Sequence, residues 1–470
     1  MPLILGANSA SGGYTVKNSA RFNSGSSDYL SKTTWGTPTD AKIFTLSLWV
    51  KRSTLGARNS LVGSYDGVST SSFLFSFESN DTLYIQLGGT SDYILQTTQL
   101  FRDVSAWYHI VYVVDSTQAT SSNRQKLYVN GTQVTAFGTA NYTTLNSTTK
   151  LFNNSNRNNI GAEWQISGFL NGYLSEFYFI DGQALTPSSF GETDTDTGIW
   201  KPKAYTGTYG TNGFYLQFKN SASLGTDSSG NGNTFTVNNL TSIDQTTDTP
   251  TNNFCTLNPL SPANISSLTE GNLQITQSTS GTAIGTIGFG TGKWYWEVKN
   301  TNQITYTQLV GILKESTIQS SNPSGYNVGA NSGGWSYFVQ GNADNGKAFN
   351  NGSTTSVYQT TATNSIISIA VDASAGKIWF GVNGTWVNSG NPATGTNAVY
   401  TNLPTTGEIL FPAVSNYDGG GFGTPTINFN FGNPPYSANS YTDGAGYGNF
   451  SYAVPSGYYS LCTKNLANFG

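Results

Sequence analysis

The chain has 470 residues, only 10% of them charged, and its net charge of −4 gives it no electrostatic grip on nucleic acid or an anionic membrane. A single histidine excludes a zinc site built on two imidazoles, and no run of ~18 apolar residues offers a membrane-spanning helix. Aromatic residues make up 13% and glycines number 54, a balance that suits pleated surfaces joined by tight turns.

Residues 1–20 read as an N-terminal leader. Met1-Pro-Leu-Ile-Leu5 lacks the basic region and long apolar core of a secretory signal, so folding in a cytoplasm is expected. The Leu3-Ile-Leu5 triplet needs a partner to bury it. Residues 21–255 form a first β-rich block. Phe44-Thr-Leu-Ser-Leu-Trp-Val-Lys51 alternates with period two, and Phe73–Phe77 and Thr82–Leu87 are further strands. Trp107-Tyr-His-Ile-Val-Tyr-Val-Val-Asp115 is apolar on both faces, as a central sandwich strand is. Lys126-Leu-Tyr-Val-Asn-Gly131 is a strand running into an Asn-Gly turn. Gly172–Asp181 is the next strand, and Ala184–Phe190 is the one candidate helix. Residues 196–255 are expected to complete this first domain, with Thr246–Phe254 as linker and the domain boundary between about residues 240 and 268.

Residues 256–435 form a second block with strands at Gly292-Lys-Trp-Tyr-Trp-Glu-Val298, Leu309–Leu313, Ile366–Asp372 and Lys377–Val382. An Asn383-Gly384 turn follows and displays Trp386. Residues 436–470 read as a Gly/Tyr-rich C-terminal tail. The fold class expected is all-β, with two β-sandwich domains and short terminal extensions.

Cys255 and Cys462 stand far apart and outside any CxxC spacing, which argues against a disulfide or metal framework. On a period-two reading His109 shares a face with Trp107, Val111 and Val113, which reads as a packed sandwich residue rather than a catalytic base. A glycosidase needs only two carboxylates, but Glu163, Glu176, Glu297, Asp66, Asp103 and Asp418 show no spacing that singles out an acid and a nucleophile. Asp227-Ser-Ser-Gly-Asn-Gly-Asn233 alternates hard oxygen donors with glycine and is the one weak metal candidate. Asx-turns explain the same residues without an ion, and no cofactor is expected.

Several stretches resemble known families. Asp28-Tyr29, the Trp49 strand, Trp107-Tyr-His109, the Leu127–Gly131 hairpin and the Gly172–Ile180 strand resemble, in that order, a laminin-G-like or concanavalin-like jelly roll. Gly292–Val298, Leu309–Leu313, Gly333-Gly-Trp-Ser-Tyr337, Phe411-Pro-Ala-Val-Ser415 and Ile427–Gly432 resemble a SPRY domain, a sandwich used for recognition. The opening residues, together with Phe431–Tyr436, Val454–Tyr458 and Leu461–Leu466, resemble structural proteins of phages of marine bacteria.

The resemblance implies a non-enzymatic virion appendage, a tail-fibre or spike component binding a host-surface glycan or receptor. The alternatives are a capsid decoration or head-fibre protein and, from another class, a glycan depolymerase. It also implies a leader that contacts other virion proteins and a homo-oligomer, a trimer by preference, located on the tail or capsid surface. SPRY-like domains bind through loops at one end. That makes Trp335, Tyr337, Trp386, Tyr417 and Asp418 the candidate ligand contacts. Taken singly, Trp335 and Trp386 each fit a core or lid position better, and Tyr417, before Asp418-Gly-Gly-Gly421, is the one expected to be exposed.

Overall fold

The computed structural model describes residues 13–65, 72–88, 93–153, 157–261, 267–276, 280–302, 307–320, 328–340, 344–417 and 424–470. They divide into two compact units, one ending at Thr251 and one running from Asn252 to Gly470.

The first unit carries β1 (Ser19–Phe22), β2 (Tyr29–Lys32), β3 (Ile43–Arg52), β4 (Asn59–Tyr65), β5 (Phe73–Phe77), β6 (Thr82–Leu87), β7 (Ile94–Leu100), β8 (Trp107–Asp115) and β9 (Gln125–Val129). It continues with β10 (Thr132–Gln133), β11 (Phe137–Ala140), β12 (Arg157–Ile160), β13 (Gly172–Asp181), β14 (Gly191–Thr193), β15 (Trp200–Pro202), β16 (Phe214–Leu216), β17 (Thr236–Asn238) and β18 (Gln245–Thr246). One sheet runs β10-β9-β8-β3-β13-β1-β18, with β16 also beside β13, and the facing sheet runs β11-β7-β6-β5-β4-β12-β2-β17. The first and last strands of the unit are neighbours, with Ser19 opposite Thr246.

Strict alternation in β3 sends Phe44, Leu46, Leu48 and Val50 between the sheets. Its other face, with Trp49 and Lys51, is buried as well. Segments downstream of β13 lie over that face: Phe190, Tyr205 and Tyr209 pack on Val111, Val113, Tyr178 and Ile180, and Trp200 joins Trp49, Trp107 and Tyr173. The expected helix at 184–190 is a single 3-10 turn, Pro187–Ser189, because Pro187 starts the turn and the chain then enters β14. Asn130 and Gly131 take φ of 47° and 80°, the left-handed pair that a two-residue hairpin turn requires between β9 and β10.

The second unit contains β19 (Ser267–Thr269), β20 (Gln274–Thr276), β21 (Gly281–Ile284), β22 (Lys293–Asn300), β23 (Thr307–Lys314), α1 (Glu315–Ser320), β24 (Gly334–Gln340), β25 (Ala348–Asn350) and β26 (Ser353–Thr354). After these come β27 (Ile366–Asp372), β28 (Lys377–Val382), β29 (Thr385–Trp386), β30 (Leu410–Tyr417), β31 (Thr426–Asn430), β32 (Tyr459–Ser460) and α2 (Thr463–Phe469). Sheet β19-β20-β31-β22-β27-β28-β29 faces sheet β21-β30-β23-β24-β25-β26. Trp294, Trp296 and Val298 of β22 meet Val310, Ile312 and Val414 of the opposite sheet in one core.

Residues 436–470, a tail by their composition, belong to this unit. β32 pairs parallel with β22 at Trp294 and Tyr295. Phe450 and Tyr458 bury the outer face of this sheet at Tyr295 of β22, Ala370 of β27 and Trp379 of β28. The Glu297 carboxylate fixes the segment by accepting the backbone N–H groups of Ser451 at 2.8 Å and Tyr452 at 2.9 Å, with Tyr295 and Asn430 as further donors at 2.9 and 3.1 Å. Burial pushes that carboxyl above the usual range, and the four donors pull it back.

Candidate functional site

The aromatic residues singled out in the second sandwich do not converge. Trp335 and Tyr337 lie on β24 and point between the sheets. Trp335 is 1% exposed and its indole N–H donates to Asn402 Oδ1 at 2.8 Å. Tyr337 is fully buried, stacks on Phe380 and donates its hydroxyl to the Gln359 carbonyl at 2.6 Å. Neither ring is on a surface where it can meet a ligand, which corrects the expectation for both. The physical reason is local: Gly333-Gly334 opens a strand rather than a loop, with Gly334 paired to Leu313 and packed so closely that a Cβ there would stand 2.6 Å from the Gly329 nitrogen.

Trp386 follows its Asn383-Gly384 turn as expected, with φ of 49° and 82° at the turn residues. Its half-buried ring turns back onto the outer face of the sheet, edge-on to Tyr295, on the far side of that sheet from Trp335. Tyr417 closes β30 opposite Thr307. The Tyr417 side chain and Asp418 lie outside the described residues.

Asp227 staples its own loop. Oδ1 accepts the Tyr215 and Ser229 N–H groups at 3.0 and 2.8 Å, and Oδ2 accepts the Ser229 hydroxyl and the Asn233 N–H, each at 2.8 Å. The side chains of Asn231 and Asn233 donate to the carbonyls of Gly210, Thr211 and Gly213. These oxygens are engaged as turn acceptors, which is the Asx-turn account of the loop. Among the described residues no cluster of three or more His, Cys, Asp or Glu side chains forms.

His109 sits on β8 in the covered face of its sheet and is fully buried. Its ring lies nearly parallel to Trp49 at 4.8 Å and to Trp200 at 6.0 Å. Nδ1 accepts the Trp200 indole N–H at 2.9 Å, which leaves the proton on Nε2, facing Ser47 Oγ at 2.9 Å. Burial pushes its pKa down to about 3. An imidazole with both nitrogens engaged and no route to charge is a packing residue.

The carboxylate of Glu176 is likewise structural. It sits in a bulge of β13 at φ of 49° and accepts the hydroxyls of Tyr14, Tyr178 and Tyr215 at 3.0, 2.6 and 2.6 Å. Burial raises its pKa, and the three phenols offset part of that.

One concavity was not foreseen. At the rim of the first sandwich a cavity of about 140 Å³ has Phe73, Leu87 and Leu151 as its apolar lining and Tyr93, Thr149 and Lys150 as its polar lining. Its size is that of one six-membered ring, since a cavity on the order of 150 Å³ accepts benzene. An apolar patch beside hydroxyl and ammonium groups is the chemistry that a sugar ring meets on a protein. Its lining comes from β5, β6, Tyr93 just before β7 and the segment 147–151, and in sequence Ser147-Thr-Thr-Lys150 looks like any polar loop.

Residues 24–189 match the concanavalin A-like lectin/glucanases superfamily, and residues 293–434 match the SPRY domain. No curated protein matches the chain. Among solved structures, the SPRY domain of human HERC1 aligns at 18% identity over 33% of this chain and 87% of its own, with a TM-score of 0.26. The TRIM65 PSpry domain aligns at 16% identity over 37% of this chain and 91% of its own, with a TM-score of 0.28. The stonustoxin structure aligns at 19% identity over 37% of this chain and 27% of its own, with a TM-score of 0.27. The two sandwiches, in their order along the chain and with the two family-model matches at residues 24–189 and 293–434, make this a protein that joins a concanavalin A-like domain to a SPRY domain.

Proposed function

We propose that the protein is a non-enzymatic adhesion component of a phage virion, a tail-fibre or spike subunit that binds a glycan of the host surface. The observation that carries this reading is the pairing of two domains of binding type on one chain whose only histidine is locked between two tryptophans. The similarity of both chain ends to phage structural proteins supplies the virion context. The N-terminal leader, residues 1–20, docks onto other virion proteins, and the subunits assemble as a homo-oligomer, a trimer by preference. The sugar enters the cavity of the first sandwich, with its ring on Phe73 and Leu87 and its hydroxyls on Tyr93, Thr149 and Lys150. One such contact is weak, and several copies on one particle raise the avidity by roughly 10²–10⁴.

The test uses the full chain coupled to beads. The beads should bind host cells and release no soluble oligosaccharide from the envelope. Tyr93→Ala with Lys150→Ala should reduce binding at least tenfold while leaving the melting temperature within a few degrees. Released sugar fragments would end the non-enzymatic reading, and undiminished binding would move the site out of the cavity. Gold-labelled antibody on intact particles should mark the tail; label confined to the capsid would make the protein a head decoration, and absence of label would remove it from the virion.

A further inference from the structure

On the covered face of the first unit, β3 presents Lys51 directly between Trp107 of β8 and Tyr173 of β13. The chain leaving β18 lays Asp248 across this position. Lys51 Nζ stands 2.8 Å from Asp248 Oδ2, and the Trp107 indole N–H donates to Asp248 Oδ1 at 3.1 Å. The two charged side chains are 1% and 0% exposed. The ammonium also lies 5.6 Å from the centre of the Tyr173 ring. The backbone of Asp248 is fixed as well: its carbonyl accepts the Ser19 hydroxyl at 2.6 Å and its N–H donates to Thr246 Oγ1 at 3.2 Å. A dry ion pair carries a desolvation cost for each charge, and a neutral product held in the same place escapes it.

We propose that Lys51 and Asp248 condense to an isopeptide bond. The ammonium first passes one proton to the carboxylate, giving an amine beside a carboxylic acid inside an aromatic enclosure. Nζ then attacks Cγ while the oxygen held by the Trp107 N–H takes the developing negative charge. The new Nζ–Cγ bond forms, the Cγ–Oδ2 bond breaks, and a second proton from nitrogen leaves with that oxygen as water. No oxidant, reductant or co-reactant takes part. The fixed approach of both side chains supplies the proximity that makes such a condensation intramolecular. The bond ties a central strand to a residue 197 positions later, and it stands or falls independently of what the protein adheres to.

Intact-mass measurement of the purified full chain decides the matter. The expected mass is one water below that of the sequence, and Lys51→Met should restore it. Trypsin should yield a branched species joining residues 43–52 to residues 220–293, with cleavage after Lys51 absent. The branched peptide separates this bond from a succinimide at an Asp-Gly pair such as Asp181-Gly182, which also loses water but links nothing. Trp107→Phe should lower the linked fraction several-fold. A wild-type mass equal to that of the sequence, or a water deficit without the branched peptide, overturns the proposal; unchanged linkage in Trp107→Phe overturns the part given to the indole.

Discussion

The Trp200 indole N–H donates to His109 Nδ1 across 2.9 Å while the two rings lie at an interplanar angle of 21°. The contact fixes the neutral tautomer and removes the imidazole from any acid–base role. Burial of the ring also sets a pH dependence. The folded pKa is pushed down to about 3, while the unfolded chain titrates near the usual value of ~6.5. Between these values only the unfolded state takes up the proton. Stability is therefore intact above ~6.5 and lost progressively as pH falls toward 3, by an amount on the order of a few kcal/mol. Thermal melts from pH 7 to pH 4 should show this loss, and His109→Gln should show a shallower one. Equal slopes would assign the acid sensitivity to the carboxylates alone.

Glu297→Gln is expected to destabilise the second unit by about 3 kcal/mol or more. Four donors converge on the carboxylate, and an amide nitrogen in either position would set its own N–H groups against at least one backbone N–H, of Ser451 or of Tyr452, that has lost its acceptor. Relief of the buried charge works in the opposite direction and offsets part of this loss. Denaturant unfolding measures the difference, and an unchanged midpoint would mean that residues 451–452 are held by packing alone.

Trp335→Ala removes a fully enclosed indole and should cost about 3–5 kcal/mol. Any loss of adhesion in this variant should track its unfolded fraction. A variant that melts like the wild type but no longer adheres would return Trp335 to the list of contact residues.

Both thiols should resist alkylation in the folded protein. Cys255 and Cys462 are buried, no disulfide joins them, and burial pushes the Cys462 thiol up to about 12. Iodoacetamide at pH 8 should label neither in hours under native conditions and both after denaturation. Rapid native labelling would reveal opening of the strand pairing at Phe254 and Cys462.

The parts of the fold that follow a short-range rule could be read from the sequence. Period-two alternation located β3 and β8, the Asn-Gly pairs located two hairpins, and the register of β8 put His109 among Trp107, Val111 and Val113 as expected. What escaped was the second layer over β3. The strands of that layer, β14 and β15, are three residues long each and show no period to detect. The partners that matter there are remote: Glu176 meets Tyr14 across 162 residues, and Lys51 meets Asp248 across 197. For the same reason an aromatic residue after Gly-Gly could not be assigned to core or surface, since a strand start and a loop share that signature and only the opposite sheet decides between them.

The adjacency of β1 and β18 governs when the first unit can fold. Ser19 waits for Thr246, 227 residues later, before the edge of its sheet closes. At roughly 5–20 residues per second on the ribosome, the early strands spend on the order of ten to fifty seconds without their last neighbour. Loop closure over such a separation also slows folding once the chain is complete. The exposed edge of β1 is therefore the place where nascent copies can pair with one another, and chaperone supply during synthesis should set the yield of active protein more than any change to the finished surface.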